Sequence, residues 1–197
     1  MRSISIACIV EGPGDAEALP VLLRRLAPTI DAGVRLDLPK PVVFKRTKLK
    51  DRREIERNVA LAKAKLRGQG AILLLMDADQ DCPATLGIET KKIAGTAAGD
   101  VPVAVVLAKT EFEAWFLAAA KSLAGKRGLA EDLTPPEEPE AEKSPKAWLD
   151  RQMPRNRKYS ETADQAALAA LFNIDAALQC CPSLAKLRRD LAGLMGV

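Results

Sequence analysis

The sequence predicts an α/β protein, a mainly parallel sheet flanked by helices with a helical extension at its C-terminal end. Two continuous apolar runs, residues 71–76 and 103–108, have the composition of strands buried on both faces of a parallel sheet. Across the first half, short apolar segments alternate with amphipathic ones in the order β-α-β-α-β-α-β, the pattern of a doubly covered sheet. After residue 145 only helical periods remain.

Taken in order, residues 4–10 form the first strand. A helix over 16–26 follows, with Ala18, Leu19, Leu22, Leu23 and Leu26 at helical spacing. Pro20 falls near its first turn, where proline is tolerated, and Asp15 suits an N-cap. Strands are expected at 34–38 and 42–44, then a charged helix over 52–66. Past the last apolar run, TEFEAWFLAAAKSLAG reads as one long helix closing at Gly125, with Phe112, Trp115 and Phe116 in the core. The stretch GKRGLAEDLTPPEEPEAEKSPK has no apolar period and reads as a surface loop whose acidic run is solvated. Helices are expected at 145–151, 162–171, 175–179 and 183–194. The division is therefore an α/β domain over 1–124, a Pro/Glu-rich loop or linker over 125–146, and a helical extension over 147–197 packed on the sheet.

Composition narrows the chemistry. The chain has 197 residues, a net charge of +4 and no histidine. Without imidazole, Ser-His-Asp and Cys-His catalysis, zincin motifs and His-based nucleases are excluded, leaving carboxylates, lysine, hydroxyls or a hard metal. Cys8, Cys82, Cys180 and Cys181 have no paired C-x-x-C spacing, so reduced thiols are expected. The apolar segment 4–10 is short, ends at Glu11 and has no cleavage site, which makes it neither signal peptide nor membrane span; a cytoplasmic location is expected.

The stretch ILLLMDADQDCP runs a core strand into Asp77, Asp79 and Asp81. Crowded carboxylates repel and resist ionising unless a cation sits among them. If the chain stays extended, Asp77 and Asp79 point the same way, about 7 Å apart. They leave the carboxyl end of a central strand, where open α/β sheets bind ligands. Glu11, in VEGPGD, ends the first strand, and Glu111 and Glu113, in KTEFE, follow the last. Three strand ends can thus deliver acids to one crevice, and Mg²⁺ (or Mn²⁺) is the cation that suits a few carboxylates plus water and phosphate oxygens.

Local readings compete at some of these positions. Asp81 before Cys-Pro suits a turn. Thr110-x-x-Glu113 matches a capping box, and Glu111 suits a positive helix start. Glu11, Asp77 and Asp79 have no such local role. Between Lys45 and Arg67 the bases Lys45, Arg46, Lys48, Lys50, Arg52, Arg53, Arg57, Lys63, Lys65 and Arg67 outnumber the acids, and Arg151, Arg155, Arg157 and Lys158 form a second cluster. Such bases suit nucleic-acid phosphates, with Arg52, Arg53 and Arg57 the leading contacts; a solvated helix face is the alternative.

The sequence from the early strand through VEGPGD to the strand ending in MDADQD resembles the TOPRIM domain of topoisomerases, primases and OLD-family nucleases. With KTEFEAWFLA, YSETADQAALAALFNID and CPSLAKLRRDL the chain resembles, more narrowly, a bacterial TOPRIM-like domain-of-unknown-function family similar to the OLD type. The resemblance implies a TOPRIM/Rossmann-like fold in which Glu11, Asp77 and Asp79 bind Mg²⁺ and support phosphodiester chemistry, with Glu111 and Glu113 at the later acidic positions. A topoisomerase needs a tyrosine nucleophile, normally outside this domain, and the one tyrosine, Tyr159, lies in a helix-entry segment; a primase would need a template-binding module, so neither enzyme fits well. OLD-type nucleases commonly carry an ATPase; this chain has no G-x-x-x-x-G-K-[ST] loop, so a separate ATPase is the implied partner.

The leading expectation is a Mg²⁺-dependent, nuclease-like hydrolase or subunit acting in defence or DNA processing, with Lys109 as an electrostatic helper or simply a surface lysine. The alternatives are a non-catalytic subunit that binds nucleic acid or the ATPase, and a receiver-like domain in which Asp77 accepts phosphate.

Overall fold

Strands β1 (Arg2–Val10), β2 (Val34–Asp37), β3 (Val42–Val43), β4 (Gly70–Asp77) and β5 (Val103–Ala108) form one sheet, all pairs parallel, in the order β2-β1-β4-β5. The computed structural model describes residues 2–48, 51–66 and 69–197. Both β2 and β3 pair with the same edge of β1, the first from Arg2↔Val34 to Ser5↔Asp37 and the second at Ile9↔Val42. Pro39 and Pro41 lie between them and lack the N–H a continuous ladder needs, so one edge strand is built in two pieces.

The helices α1 (Pro13–Ile30), α2 (Arg52–Lys65) and α3 (Pro83–Ala98) make the crossovers. Along β1, Ile6, Cys8 and Val10 join the core under α1, while Ala7 and Ile9 join the core under α2 and α3. Strands β4 and β5 divide the same way, Leu73, Leu75 and Val106 to one side and Ile72, Leu74, Val105 and Leu107 to the other. Because side chains alternate and both faces are covered, every position must be apolar, which explains the unbroken runs.

Several local expectations are corrected. Helix α1 starts at Pro13, so Pro20 is inside it, not in its first turn. Its N-cap is Gly12, and Asp15 is the third helical residue, whose carboxylate accepts from the Gly12 N–H at 3.1 Å. The expected long helix after β5 is two short ones, α4 (Ala114–Ala118) and α5 (Ala120–Leu123), broken at Ala119, whose φ of −107° and ψ of 22° leave the helical region. Their aromatic residues are core, as expected: Phe112, Trp115 and Phe116 are fully buried, with Phe112 and Trp115 ring centroids 4.6 Å apart.

Helix α6 (Pro145–Arg151) is followed by a single π-helical turn (Glu161–Gln165) that runs into α7 (Ala166–Leu171), then α8 (Ile174–Cys180) and α9 (Pro182–Met195). Helix α7 packs on α1 and α9 on β5, so the extension completes one face of the sheet. The Arg25 guanidinium of α1 donates to the Ala169 and Phe172 carbonyls at 2.6 and 2.8 Å and lies 5.3 Å from the Phe172 ring centre. The acidic stretch before α6 is not simply solvated, since Glu140 is buried and accepts from the Ser183 N–H at 3.0 Å and from its hydroxyl. Ser183 Oγ in turn accepts from the Trp115 indole at 2.8 Å. All four cysteines are free thiols, and among the described residues no helix is long and apolar enough to cross a membrane.

Candidate functional site

Parallel strands put all their carboxyl ends on one edge, and the returning helices put their N-termini there too. Glu11 is the half-buried residue that follows β1. Asp77 is the last residue of β4, 8% exposed, and its Oδ1 accepts from the Phe112 N–H at 2.8 Å. Past the strands the two chains stay joined, with Ala78 N–H to Ala108 O at 2.8 Å and Asp79 N–H to Thr110 O at 2.9 Å. Asp79 and Thr110 both have positive φ, 49° and 63°. The extended geometry that would pair Asp79 with Asp77 therefore ends at Asp77; Asp79 is exposed in a turn, and alternation does not place it beside its neighbour. Asp81 closes that turn through its N–H to Ala78 O at 2.9 Å, as the local reading has it.

The capping-box reading of Thr110 and Glu113 is overturned. Glu113 itself occupies the N-cap position of α4, and its side chain turns inward, fully buried, where Oε1 accepts from the Tyr159 hydroxyl at 2.8 Å. Glu111 Oε2 accepts from the backbone N–H of Lys146 at 2.9 Å, in the first turn of α6.

Lys146 is the centre of the arrangement. Its Nζ lies 3.1 Å from Glu161, 3.6 Å from Asp77, 3.8 Å from Glu111 and 4.0 Å from Glu113. The structure thus brings Asp77, Glu111 and Glu113 together, adds Glu161 from the π-helical turn, and sets Glu11 close enough for its charge to act on Asp77. Sequence reasoning misses Lys146, Tyr159 and Glu161 as site residues. The Ser-Pro at 144–145 is the available signal that a helix opens at Pro145, with Lys146 in its first turn, yet nothing local says where that side chain points.

The electrostatics follow from crowding. Burial pushes the Asp77 carboxyl well above its ordinary range, the Glu113 and Asp15 charges push it further, and Lys146 opposes them. Burial also raises Glu113 to about 8, against the pull of Lys146 and the Tyr159 hydroxyl. For Lys146, burial alone would lower the value, but Glu113, Asp77, Glu111 and Glu161 outweigh it and hold the ammonium charged. The Tyr159 phenol is pushed up by burial and by the Glu113 charge, so it stays a hydrogen-bond donor.

The π-helical turn is seated on the start of α1. Gln165 donates to Asp15 Oδ1 at 2.7 Å, and a Cβ added at Gly14 would meet Gln165 Oε1 at 2.2 Å and Glu161 Cβ at 2.9 Å. Gly14→Ala must push this turn away and carry Glu161 with it. Urea unfolding of that variant is expected to show a loss of about 1–3 kcal/mol, the usual cost of overpacking. Wild-type stability in the variant would mean that the turn is not anchored there.

The basic residues are dispersed in role. Arg52, Arg53 and Arg57 are exposed on the first turns of α2, at the same edge of the sheet; Arg52 pairs with Glu56 at 2.7 Å and Arg57 with Glu54 at 2.9 Å. Arg157 is not a free phosphate contact, because it pairs with the buried Asp164, as does Arg127 at 3.1 Å. Arg151, Arg155 and Lys158 are exposed. Lys50 and Arg67 lie outside the described residues.

Among the described residues no group of three or more carboxylates or thiols stands ready around one point to hold a metal. What stands among these acids is the Lys146 ammonium. Their chemistry nevertheless suits a hard cation, since the donors are carboxylate oxygens and Glu113 Oε2 is buried with no hydrogen-bond partner among the described residues.

The model of a family described as a domain of unknown function, DUF4276, matches residues 10–192. The chain belongs to this family. The DUF4276 match begins at the last residue of β1 and ends within α9, so Glu11, Asp77, Glu113, Lys146 and Glu161 all fall inside a single family unit. No curated protein and no solved structure matches the chain.

Proposed function

We propose that this DUF4276 protein is a Mg²⁺-dependent, nuclease-like phosphodiesterase, or the catalytic subunit of one, of TOPRIM-like type. The observation that carries the reading is that Asp77, Glu111 and Glu113 each lie within 4.0 Å of the Lys146 ammonium at the carboxyl edge of a parallel sheet, a place that holds a cation among acids. Asp77, Glu111 and Glu113, with Glu11 near Asp77, are the residues that would hold the ion; Asp79, exposed in the turn that follows β4, is a ligand only on the TOPRIM resemblance. A bound Mg²⁺ supplies charge neutralisation at a phosphodiester and lowers the pKa of a water ligand. The chain's own contribution is orientation: the Phe112 N–H fixes one oxygen of Asp77, and the Tyr159 hydroxyl fixes one oxygen of Glu113. Arg52, Arg53 and Arg57, at the same edge, serve nucleic-acid phosphates.

The position of Lys146 favours one other reading. An ammonium that already neutralises the acids suits a non-catalytic subunit that binds nucleic acid or a separate ATPase. A receiver-like role for Asp77 fits less well, because that carboxylate is buried and committed to Phe112.

The test compares wild type with two variants on a mixed panel of DNA and RNA with Mg²⁺ or Mn²⁺, with and without an ATPase from the same cell. Glu11→Gln is expected to abolish cleavage while affinity stays within a few-fold, since it removes a carboxylate and no phosphate contact. The Arg52→Ala, Arg53→Ala, Arg57→Ala triple variant should bind all sequences more weakly, with the slope of log K against log salt shallower by roughly 2–3. Wild type that binds in a salt-sensitive way and never cleaves selects the binding subunit.

A further inference from the structure

We propose that the outer edge of β5 docks an extended acidic segment of a partner protein, which adds to the sheet as a further strand. Strand β5 ends the strand order, and among the described residues no strand pairs with its outer side. In a parallel ladder alternate residues turn both backbone groups to the same side. Pro102 and Ala108 present their carbonyls to β4, so Val105 and Leu107 present theirs outward. Lys186 confirms the direction, its Nζ donating to Val105 O at 2.8 Å.

That edge is the floor of a groove of about 490 Å³ between α3 and the start of α9. Val105, Leu107, Gly87, Ile88 and Pro182 make its wall mostly apolar, and Ile88 is 72% exposed. An edge that no further strand pairs with, beside an apolar groove, is the arrangement that strand addition uses: the backbone supplies the hydrogen bonds, with an incoming N–H replacing Lys186 at Val105 O, and alternate side chains fill the pockets. An edge left open in this way is otherwise a liability, so an occupant is the economical explanation for an apolar rim beside it.

Charge selects the occupant. Lys91, Lys109 and Lys186 line the groove, against a single carboxylate, Glu140, which is already held by Ser183. Lys186 also pairs with Asp190, so an incoming carboxylate competes for a lysine that is partly satisfied. A second copy of this chain fits poorly, because antiparallel pairing of β5 with itself would bring two sets of lysines together, and like charges across a strand pair are destabilising. The occupant is therefore a strand with valine-like residues on one face and carboxylates towards the lysines.

A fluorescein-labelled octapeptide of alternating aspartate and valine is the probe, read by anisotropy and by hydrogen exchange of residues 103–109. Expected results are saturable binding that weakens as salt rises, and slower exchange at Val105 and Leu107. Ile88→Ser and Lys109→Glu, both on the exposed rim, should each weaken binding by about tenfold with an unchanged melting temperature. A peptide of alternating lysine and valine that binds equally well overturns the charge argument. Equal binding by the aspartate peptide with prolines in place of two valines overturns strand addition. Absence of any anisotropy change at millimolar peptide overturns the proposal, and so does dimerisation of the protein alone with protection of β5, which would assign the edge to a second copy.

Discussion

Lys146→Met is expected to lower the stability of the metal-free protein and to make it more responsive to divalent metal. The substitution keeps the aliphatic stem and removes the charge that four carboxylates share within 4.0 Å. Removing one partner of a fully buried ion pair costs about 3–5 kcal/mol. Lys146 is 31% exposed, so water screens part of the loss and about 2 kcal/mol is the appropriate scale, or roughly 4–8 °C in Tm. Mg²⁺ at about a hundred times its Kd would restore some 2.7 kcal/mol. In wild type the ion must displace the ammonium first, so its Tm shift should be the smaller of the two. Adding Asp77→Asn should remove most of the shift in either background, since Asn keeps the acceptor for Phe112 and loses the charge. Thermal scans with and without Mg²⁺ read all of this. Equal metal shifts in wild type and Lys146→Met would place the ion somewhere else.

That experiment also marks where the sequence is legible and where it is not. The strands could be read because burial on both faces leaves only apolar residues, and the residue that breaks each run, Glu11 or Asp77, is then at a strand end by construction. Asp79 could not be placed by the same rule. The alternation holds only while the backbone is extended, and a φ of 49° at Asp79 ends it. Thr110 and Glu113 carry a capping pattern that is overridden, because a fully buried carboxylate gains more from Tyr159 and Lys146 than from a backbone N–H at a helix of five residues. Lys146, Tyr159 and Glu161 were illegible for a different reason. They reach the site through tertiary packing of the extension, including the close seat of Glu161 against Gly14, and no local period encodes such a contact.

The pH dependence of stability should change sharply in Glu113→Gln. An unfolded glutamate loses its proton near 4.5, whereas in the folded protein burial holds the Glu113 proton until about 8. Between these values the native state binds more protons than the unfolded state, so stability must fall as pH rises. The contribution is fully present below about 4.5 and gone above about 8. The substituted glutamine retains an oxygen for the Tyr159 hydroxyl and has no proton to lose, so the variant should lack this slope. Asp77 is shifted in the same direction, first by burial, which the variant keeps; the part of its shift that comes from the Glu113 charge is lost with that charge and adds to the same difference. Urea unfolding at several pH values should therefore show wild type losing stability relative to the variant, by a total on the order of 4 kcal/mol between pH 4.5 and 8. Lys146 does not interfere, because its own value is raised above 10.5 and its charge persists across this range. On the proposed function Mg²⁺ would bind the ionised carboxylate, so its stabilisation of wild type should grow with pH over the same interval and flatten the curve. Parallel curves for the two metal-free proteins would mean that Glu113 is already ionised in the fold, with Lys146 as its full counter-charge, and that the site is an ion pair closed to metal at neutral pH.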